Sequence, residues 1–190
     1  GLVRLAVENP GWKKAVAGQF AMLRPPGYGL ELTWARPLSL YGITPDKIEF
    51  LIQVAGRGTA RLAELSPGDR LVMWGPLGRG FVVEPDTPTL LLAGGVGLAP
   101  FRPYVAAHPR PDNLHLVFGH RPPLAAYPFA ETAGNVFAES FREQKPGDLD
   151  LFTTLLRERI GARAGGLVLA CGPRPLLEAV ARMGREGGAR

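Results

Sequence analysis

Thr89-Leu-Leu-Leu-Ala-Gly94-Gly-Val-Gly-Leu-Ala-Pro100-Phe-Arg-Pro103 is an apolar run that stops abruptly at glycine. Leu90, Leu91 and Leu92 read as a strand buried on both faces, as in a parallel sheet. Gly94, Gly95 and Gly97 then form a tight turn whose backbone lets a bulky anion approach. Pro100 suits the first turn of a helix, where a missing N–H costs nothing. A strand, a glycine turn and a helix start together make an anion site, because unpaired N–H groups and the positive dipole end face the ligand. Glycine turns of this kind also occur simply as tight βα connections. Gly95 and Gly97 match the first two glycines of G-x-G-x-x-G, but Pro100 holds the third position. The next apolar strand, Leu114 to Gly119, ends in His120-Arg121 and not in the carboxylate that the fingerprint requires.

Downstream of this stretch the alternation of strand and helix continues. A helix is expected over Phe101 to Ala107, closed by His108-Pro109. The proline-rich segment from Pro122 to Gly147 has no clear period, apart from a short strand at Val136-Phe137. Leu151, Leu155, Leu156 and Ile160 form a helical stripe. Gly166 to Cys171 is another buried strand, turned by Gly172-Pro173 into a helix over Leu176 to Met183. This order predicts a doubly wound parallel sheet, with ligands at the carboxyl ends of its strands. Gly94, Gly119 and Cys171 fall at such ends. Cys171 reads either as a small buried hydrophobe or as a ligand contact, with contact favoured over nucleophilic chemistry.

Upstream, Leu2 to Val7, Gly18 to Leu23, Arg36 to Ile43, Lys47 to Val54 and Arg70 to Trp74 read as short strands between Gly/Pro turns. One such turn is Pro25-Pro26-Gly27 with Gly29. Thr59 to Leu65 has helical spacing, with Thr59 as the N-cap. A small antiparallel barrel or sandwich follows. Three clusters bear on chemistry. Arg36-Pro37-Leu38-Ser39 places a phosphate-binding guanidinium beside a hydroxyl, or is an ordinary strand surface. Gly56-Arg57-Gly58-Thr59 is a second phosphate cradle, or a capped helix. Gly75 to Phe81 is a glycine-rich loop ending on an aromatic, or a hairpin connection. The rigid segment Glu84-Pro85-Asp86-Thr87-Pro88 divides the chain into domains 1–86 and 87–190.

Composition narrows the classes. In 190 residues, 46% are hydrophobic, enough for real cores, and no run is long enough to span a membrane. No signal peptide is read at Gly1-Leu2-Val3-Arg4. Cys171 is the single cysteine, which excludes an internal disulfide or a Cys₄ site within these residues and suits a reducing, cytoplasmic setting. The net charge of +5 is spread out, which argues against a nucleic-acid groove.

Taken in order, Arg36-Pro37-Leu38-Ser39, Gly56-Arg57-Gly58-Thr59, Gly75-Pro76-Leu77-Gly78-Arg79-Gly80-Phe81, Gly94 to Pro100 and Cys171-Gly172-Pro173 resemble the ferredoxin reductase superfamily. Within it they are most similar to electron-transfer subunits of dihydroorotate dehydrogenase, as are Gly18-Gln19-Phe20 and Pro67-Gly68-Asp69. The resemblance implies an FAD-binding β-barrel followed by a nicotinamide-binding α/β domain. In it Arg36 holds flavin phosphates and Ser39 sits near the reactive ring nitrogen, with Pro37 and Leu38 completing the motif. Leu51, Ile52 and Gln53 line the flavin, and Gly58 and Thr59 cradle its pyrophosphate. Gly94, Gly95 and Gly97 face NAD, with NADP as the other candidate. Cys171, with Gly172 and Pro173, stands beside the nicotinamide, and His120 and Arg121 lie near the adenosine end. No side chain is expected as a general acid or base.

The same resemblance implies a partner, a dihydroorotate dehydrogenase-like catalytic subunit in a hetero-oligomer of pyrimidine biosynthesis. It also implies a [2Fe–2S] centre relaying electrons from the partner's flavin to FAD and NAD, held by cysteines beyond the last helix. No thiol follows Cys171, so either this member lacks the cluster or the sequence stops short of it. The amino end is likewise expected to lack an edge strand. The alternatives are a stand-alone NAD(P)H reductase of ferredoxin or a small acceptor, and a non-catalytic nucleotide-binding regulatory module.

Overall fold

A computed structural model describes residues 1–25, 27, 29 and 34–190. The loop expected at Pro25-Pro26-Gly27 and Gly29 includes Pro26, which lies outside the described residues. The chain forms two compact units, Gly1–Phe81 and Val82–Arg190.

The first unit is an antiparallel sheet of β1 (Leu2–Glu8), β2 (Phe20–Arg24), β3 (Arg36–Ile43), β4 (Lys47–Gln53) and β5 (Val72–Leu77), with helix α1 (Arg57–Ala63) after β4. The strand order is β1-β4-β3-β2-β5. Register shifts between Phe20 and Met22 and between Leu40 and Gly42 bend it. Ala21, Leu23, Leu40, Ile48, Phe50, Ile52 and Leu62 form its core. Each large aliphatic or aromatic side chain buried there contributes about 1.5–3 kcal/mol. The opposite face carries a charged cluster. Glu49 takes Lys47 at 3.1 Å and Arg4 at 3.8 Å, while Arg4 lies 4.8 Å from the Tyr41 ring centre. Contrary to the sequence reading, Gly75, Pro76 and Leu77 continue β5 and do not open a loop. Proline is tolerated there because β5 is an edge strand next to a bulge.

The second unit contains β6 (Thr89–Gly94), α2 (Phe101–Ala107), β7 (Leu114–His120), α3 (Phe129–Ala133), β8 (Phe137–Arg142), α4 (Asp148–Gly161), β9 (Leu167–Cys171) and α5 (Arg174–Glu186). All four strands are parallel, in the order β8-β7-β6-β9. Every residue of β6 is buried, as an inner parallel strand requires. Leu90, Leu92 and Val117 pack on one face with Phe152, Leu156 and Ile160 of α4 and Val180 and Met183 of α5. On the other face Phe118 stacks on Phe129 of α3, at 5.5 Å between ring centres. This is the doubly wound arrangement expected.

The segment read as a linker is bonded into the second unit. Tyr104 donates to the Val82 carbonyl at 3.0 Å, Asn113 to the Pro85 carbonyl at 2.6 Å and Arg190 to Glu84 at 2.7 Å. Phe81 N–H, by contrast, donates to the Ala17 carbonyl at 2.8 Å. The units therefore divide between Phe81 and Val82, ahead of the 86/87 division read from composition.

A polar cluster braces β7, β8 and α4. Arg163 donates to His115 Nδ1 at 2.7 Å, so the ring proton sits on Nε2, 2.8 Å from Glu139 Oε1. Arg159 forks onto the same carboxylate at 2.6 and 3.0 Å. Burial, then the Arg163 charge, pushes His115 below its ordinary 6.5. The Arg159 hydrogen bond holds Glu139 below its ordinary 4.5. Unfolding restores the ordinary values, so below about pH 6.5 the unfolded chain binds the extra proton. The His115 contribution is complete above that pH and is lost as pH falls toward the lower folded value. Glu139 adds a second loss below about 4.5. We expect urea midpoints to drop between about pH 7.5 and pH 5, and His115→Gln to flatten that drop. A wild-type midpoint constant across this range contradicts the assignment.

Candidate functional site

In the first unit the sequence places Arg36 at the start of β3 and Gly58 in the first turn of α1. The fold brings them together. A Cβ on Gly58 would meet the Arg36 Nε and lie 2.8 Å from the guanidinium carbon and Nη2. Glycine at 58 thus leaves room for the Arg36 side chain to lie across the helix start. The N-cap is Gly56 and not Thr59, which corrects the sequence reading. Thr59 lies three residues further on and reaches back. Its hydroxyl accepts the Ala55 and Gly56 N–H groups at 3.0 and 3.2 Å and donates to the Gly56 carbonyl at 3.0 Å. This fixes the loop between β4 and α1.

Beside Arg36, Leu38 packs against the core while Ser39 pairs with Phe20, which also pairs with Leu77. Pro37 is exposed. Ser39 and the end of β5 are therefore two strands apart on one sheet. Gln19, whose role sequence reasoning left open, joins them. Its amide donates to the Gly78 carbonyl at 3.1 Å, and its backbone carbonyl accepts Leu40 N–H at 3.1 Å. Leu51 is buried, Ile52 belongs to the core, and Gln53 is exposed.

In the second unit the turn after β6 and the end of β9 meet through glycine. A Cβ on Gly97 would strike the Cys171 carbonyl and lie 2.8 Å from the Gly172 Cα. One on Gly94 would lie 2.8 Å from Pro173 Cδ and 2.7 Å from Leu176 Cδ2, and one on Gly172 would lie 3.0 Å from Gly94 N and Cα. Gly95 has φ +55, a left-handed value that starts the 3-10 turn Gly95–Leu98. Pro100 follows as the N-cap of α2. Gly94, Gly95, Gly97, Cys171, Gly172 and Pro173 thus gather at the carboxyl edge of the sheet. Burial raises the Cys171 thiol above its ordinary range, which keeps it protonated and suits contact, not attack.

His120 and Arg121 differ in fate. The His120 ring is buried, stacked on Phe118 at 5.1 Å, with Nδ1 2.7 Å from the Pro122 carbonyl. Arg121 is exposed and forks onto Glu143, just beyond β8, through two hydrogen bonds of 3.0 Å. Glu143 escaped the sequence reading because it belongs to the segment without a period.

A relative from Methanopyrus kandleri, named "Probable dihydroorotate dehydrogenase B (NAD(+)), electron transfer subunit", is 30% identical over 190 aligned positions, covering 97% of this chain and 69% of the relative. The chain belongs to this electron-transfer-subunit family. The family member from Caldanaerobacter subterraneus subsp. tengcongensis is 32% identical over 168 residues, or 88% of this chain. The chain spans 65% of that relative's length. A solved NADH-dependent reduced ferredoxin-NADP oxidoreductase superposes with a TM-score of 0.79 at 22% identity, over 99% of this chain and 69% of that one. That likeness concerns the fold, which this family member shares with the reductases. No family model matches the chain.

Proposed function

We propose that this chain is the electron-transfer part of an assembly that oxidises dihydroorotate and reduces NAD in pyrimidine biosynthesis, working in the cytoplasm. The observation that carries this reading is the meeting of Arg36 with Gly58 in a member of the electron-transfer-subunit family. A guanidinium across a glycine helix start suits a diphosphate, and the Thr59 hydroxyl holds the adjoining loop open to it. On this reading Arg36, Pro37, Leu38, Ser39, Leu51, Ile52, Gln53, Gly58 and Thr59 hold FAD. Gly94, Gly95, Gly97, Arg121, Cys171, Gly172 and Pro173 hold NAD. FAD supplies hydride and single-electron chemistry when bound. The chain's own residues bind, orient and exclude. Arg36 neutralises phosphate charge, Ser39 offers a hydroxyl to a polar ring edge, and Cys171 presents a neutral thiol that adds no competing nucleophile.

The residues described do not fit a [2Fe–2S] cluster. Cys171 is the only thiol in the sequence, and among the described residues no three metal-ligating side chains gather. No helix among them is long and apolar enough to cross a membrane.

Reconstitution tests the reading. The purified chain with dihydroorotate and NAD is expected to form no NADH, and adding a dihydroorotate-oxidising flavoprotein partner is expected to start turnover. An absorption spectrum of the chain should show flavin. Robust turnover by the chain alone defeats the subunit reading. Fast reduction of a ferredoxin with no response to any partner replaces it with a stand-alone reductase, and a colourless protein that takes up no flavin leaves only a nucleotide-binding module.

A further inference from the structure

The Arg121–Glu143 pair is held from three directions. Arg121 directly follows the last residue of β7, two residues past Gly119, which pairs with Gly94 at the carboxyl edge of the sheet. The Glu143 N–H donates to the His120 carbonyl at 2.9 Å, and Arg142 donates to the Arg121 carbonyl at 3.1 Å. Beyond Glu143 the Asp148 carboxylate accepts the Gln144 and Lys145 N–H groups at 2.8 and 3.0 Å. These bonds set the Glu143 backbone and direct its carboxylate onto the guanidinium.

The position matters for recognition. In doubly wound sheets that bind dinucleotides, the end of the strand next to the glycine turn meets the adenosine ribose. A carboxylate there accepts from the 2′-hydroxyl, whereas an arginine takes a 2′-phosphate. This chain carries both groups, one just past β7 and one just past β8, and pairs them. We infer that Glu143 is a specificity-determining residue: it occupies Arg121 and selects a dinucleotide with a free 2′-hydroxyl over its 2′-phosphorylated counterpart. The inference rests on reading the second unit as the nicotinamide dinucleotide site.

The physical case is one of competition. Both Arg121 donors used in the fork would have to leave Glu143 before meeting a phosphate in the same bidentate way. The Glu143 carboxylate also repels that phosphate. Arg121 is largely exposed, so the pair itself is worth little in stability. Its effect lies in discrimination. Such a pair is cheap to break by mutation, and the fold should survive its loss.

Binding of NAD⁺ and NADP⁺ to the full chain, measured by calorimetric titration, tests this without relying on turnover. The wild type is expected to prefer NAD⁺. Glu143→Gln should raise the NADP⁺ to NAD⁺ affinity ratio about threefold to tenfold, as the release of one exposed pair and one repulsion allows. Adding Arg121→Ala to that variant should abolish the gain. A Glu143→Gln variant with the wild-type NADP⁺ to NAD⁺ ratio overturns the inference, as does a gain that survives Arg121→Ala. A wild type that prefers NADP⁺ overturns it too. A wild type that binds neither nucleotide, while the first unit retains flavin, instead overturns the dinucleotide reading of the second unit, and the selector with it.

Discussion

Arg36→Ala is expected to lower flavin affinity by about one to two decades if Arg36 holds the flavin phosphates as proposed, because a charge-assisted hydrogen bond is worth roughly 1.5–3 kcal/mol. The side chain is half-buried at the start of β3 and lies across Gly58, so truncation removes the guanidinium that the fold lays over the α1 start. Gly58→Ala should cause a smaller loss in the same direction. Its methyl group would occupy the place of the Arg36 Nε and push the guanidinium aside without removing it. Flavin occupancy after purification and a fluorescence titration of the apoprotein measure both. An Arg36→Ala protein that retains wild-type occupancy and affinity removes Arg36 from the flavin site. Equal loss in both variants would indicate that the position of the charge, and not merely its presence, governs binding.

Gly97→Ala destabilises the second unit by about 2–4 kcal/mol, since the added methyl meets backbone that cannot rotate away. The atoms in its path are the Cys171 carbonyl and the Gly172 Cα, fixed by the pairing of β9 with β6. A loss of that size corresponds to roughly 10 °C or more in Tm for a unit of this length. Gly184→Ala is the matched control. Gly184 lies inside α5 with nothing within 4 Å of its would-be Cβ. There alanine gains helix propensity, about 1 kcal/mol in the opposite direction. Thermal unfolding followed by circular dichroism separates the two. A Gly97→Ala protein that melts with the wild type would falsify the close packing of turn against strand.

Parts of this architecture are legible in sequence for definable reasons. The run Leu90 to Leu92 is buried on both faces, so it announces a parallel strand without any period. Arg36 to Ile43 and Phe101 to Ala107 begin and end where expected because Pro and Gly punctuate them. Of β8 only Phe137 falls within the expected Val136-Phe137 strand, because its sequence, Phe-Ala-Glu-Ser-Phe-Arg, is that of an edge. Phe137 is 69% exposed, and Glu139 is spent on Arg159 and His115. An edge strand of a parallel sheet lacks the continuous apolar run of its inner neighbours. The helix start at Gly56 was misplaced because Thr59 has the residue type of a cap. Its hydroxyl does bond the loop, but from inside the helix. Gln19 and Glu143 were invisible as functional residues for a simpler reason. Their partners, Gly78 and Arg121, lie 59 and 22 residues away, and only the strand order makes them neighbours.

The glycine seam where β6 meets β9 also constrains how this protein can change over time. A Cβ on Gly172 would press on the Gly94 backbone and one on Gly97 on the chain between Cys171 and Gly172, while one on Gly94 would meet Pro173 Cδ and Leu176 Cδ2. At Gly97 and Gly172 the space a side chain needs is filled by backbone, and at Gly94 by a proline ring and a leucine side chain. Enlarging one does not make room for the next. A side chain at Gly97 or Gly172 would need the ends of β6 and β9 to move apart. The seam thus resists stepwise drift, and variation in this unit should be channelled elsewhere, toward the exposed faces of α4 and α5 and the outer edge of β8.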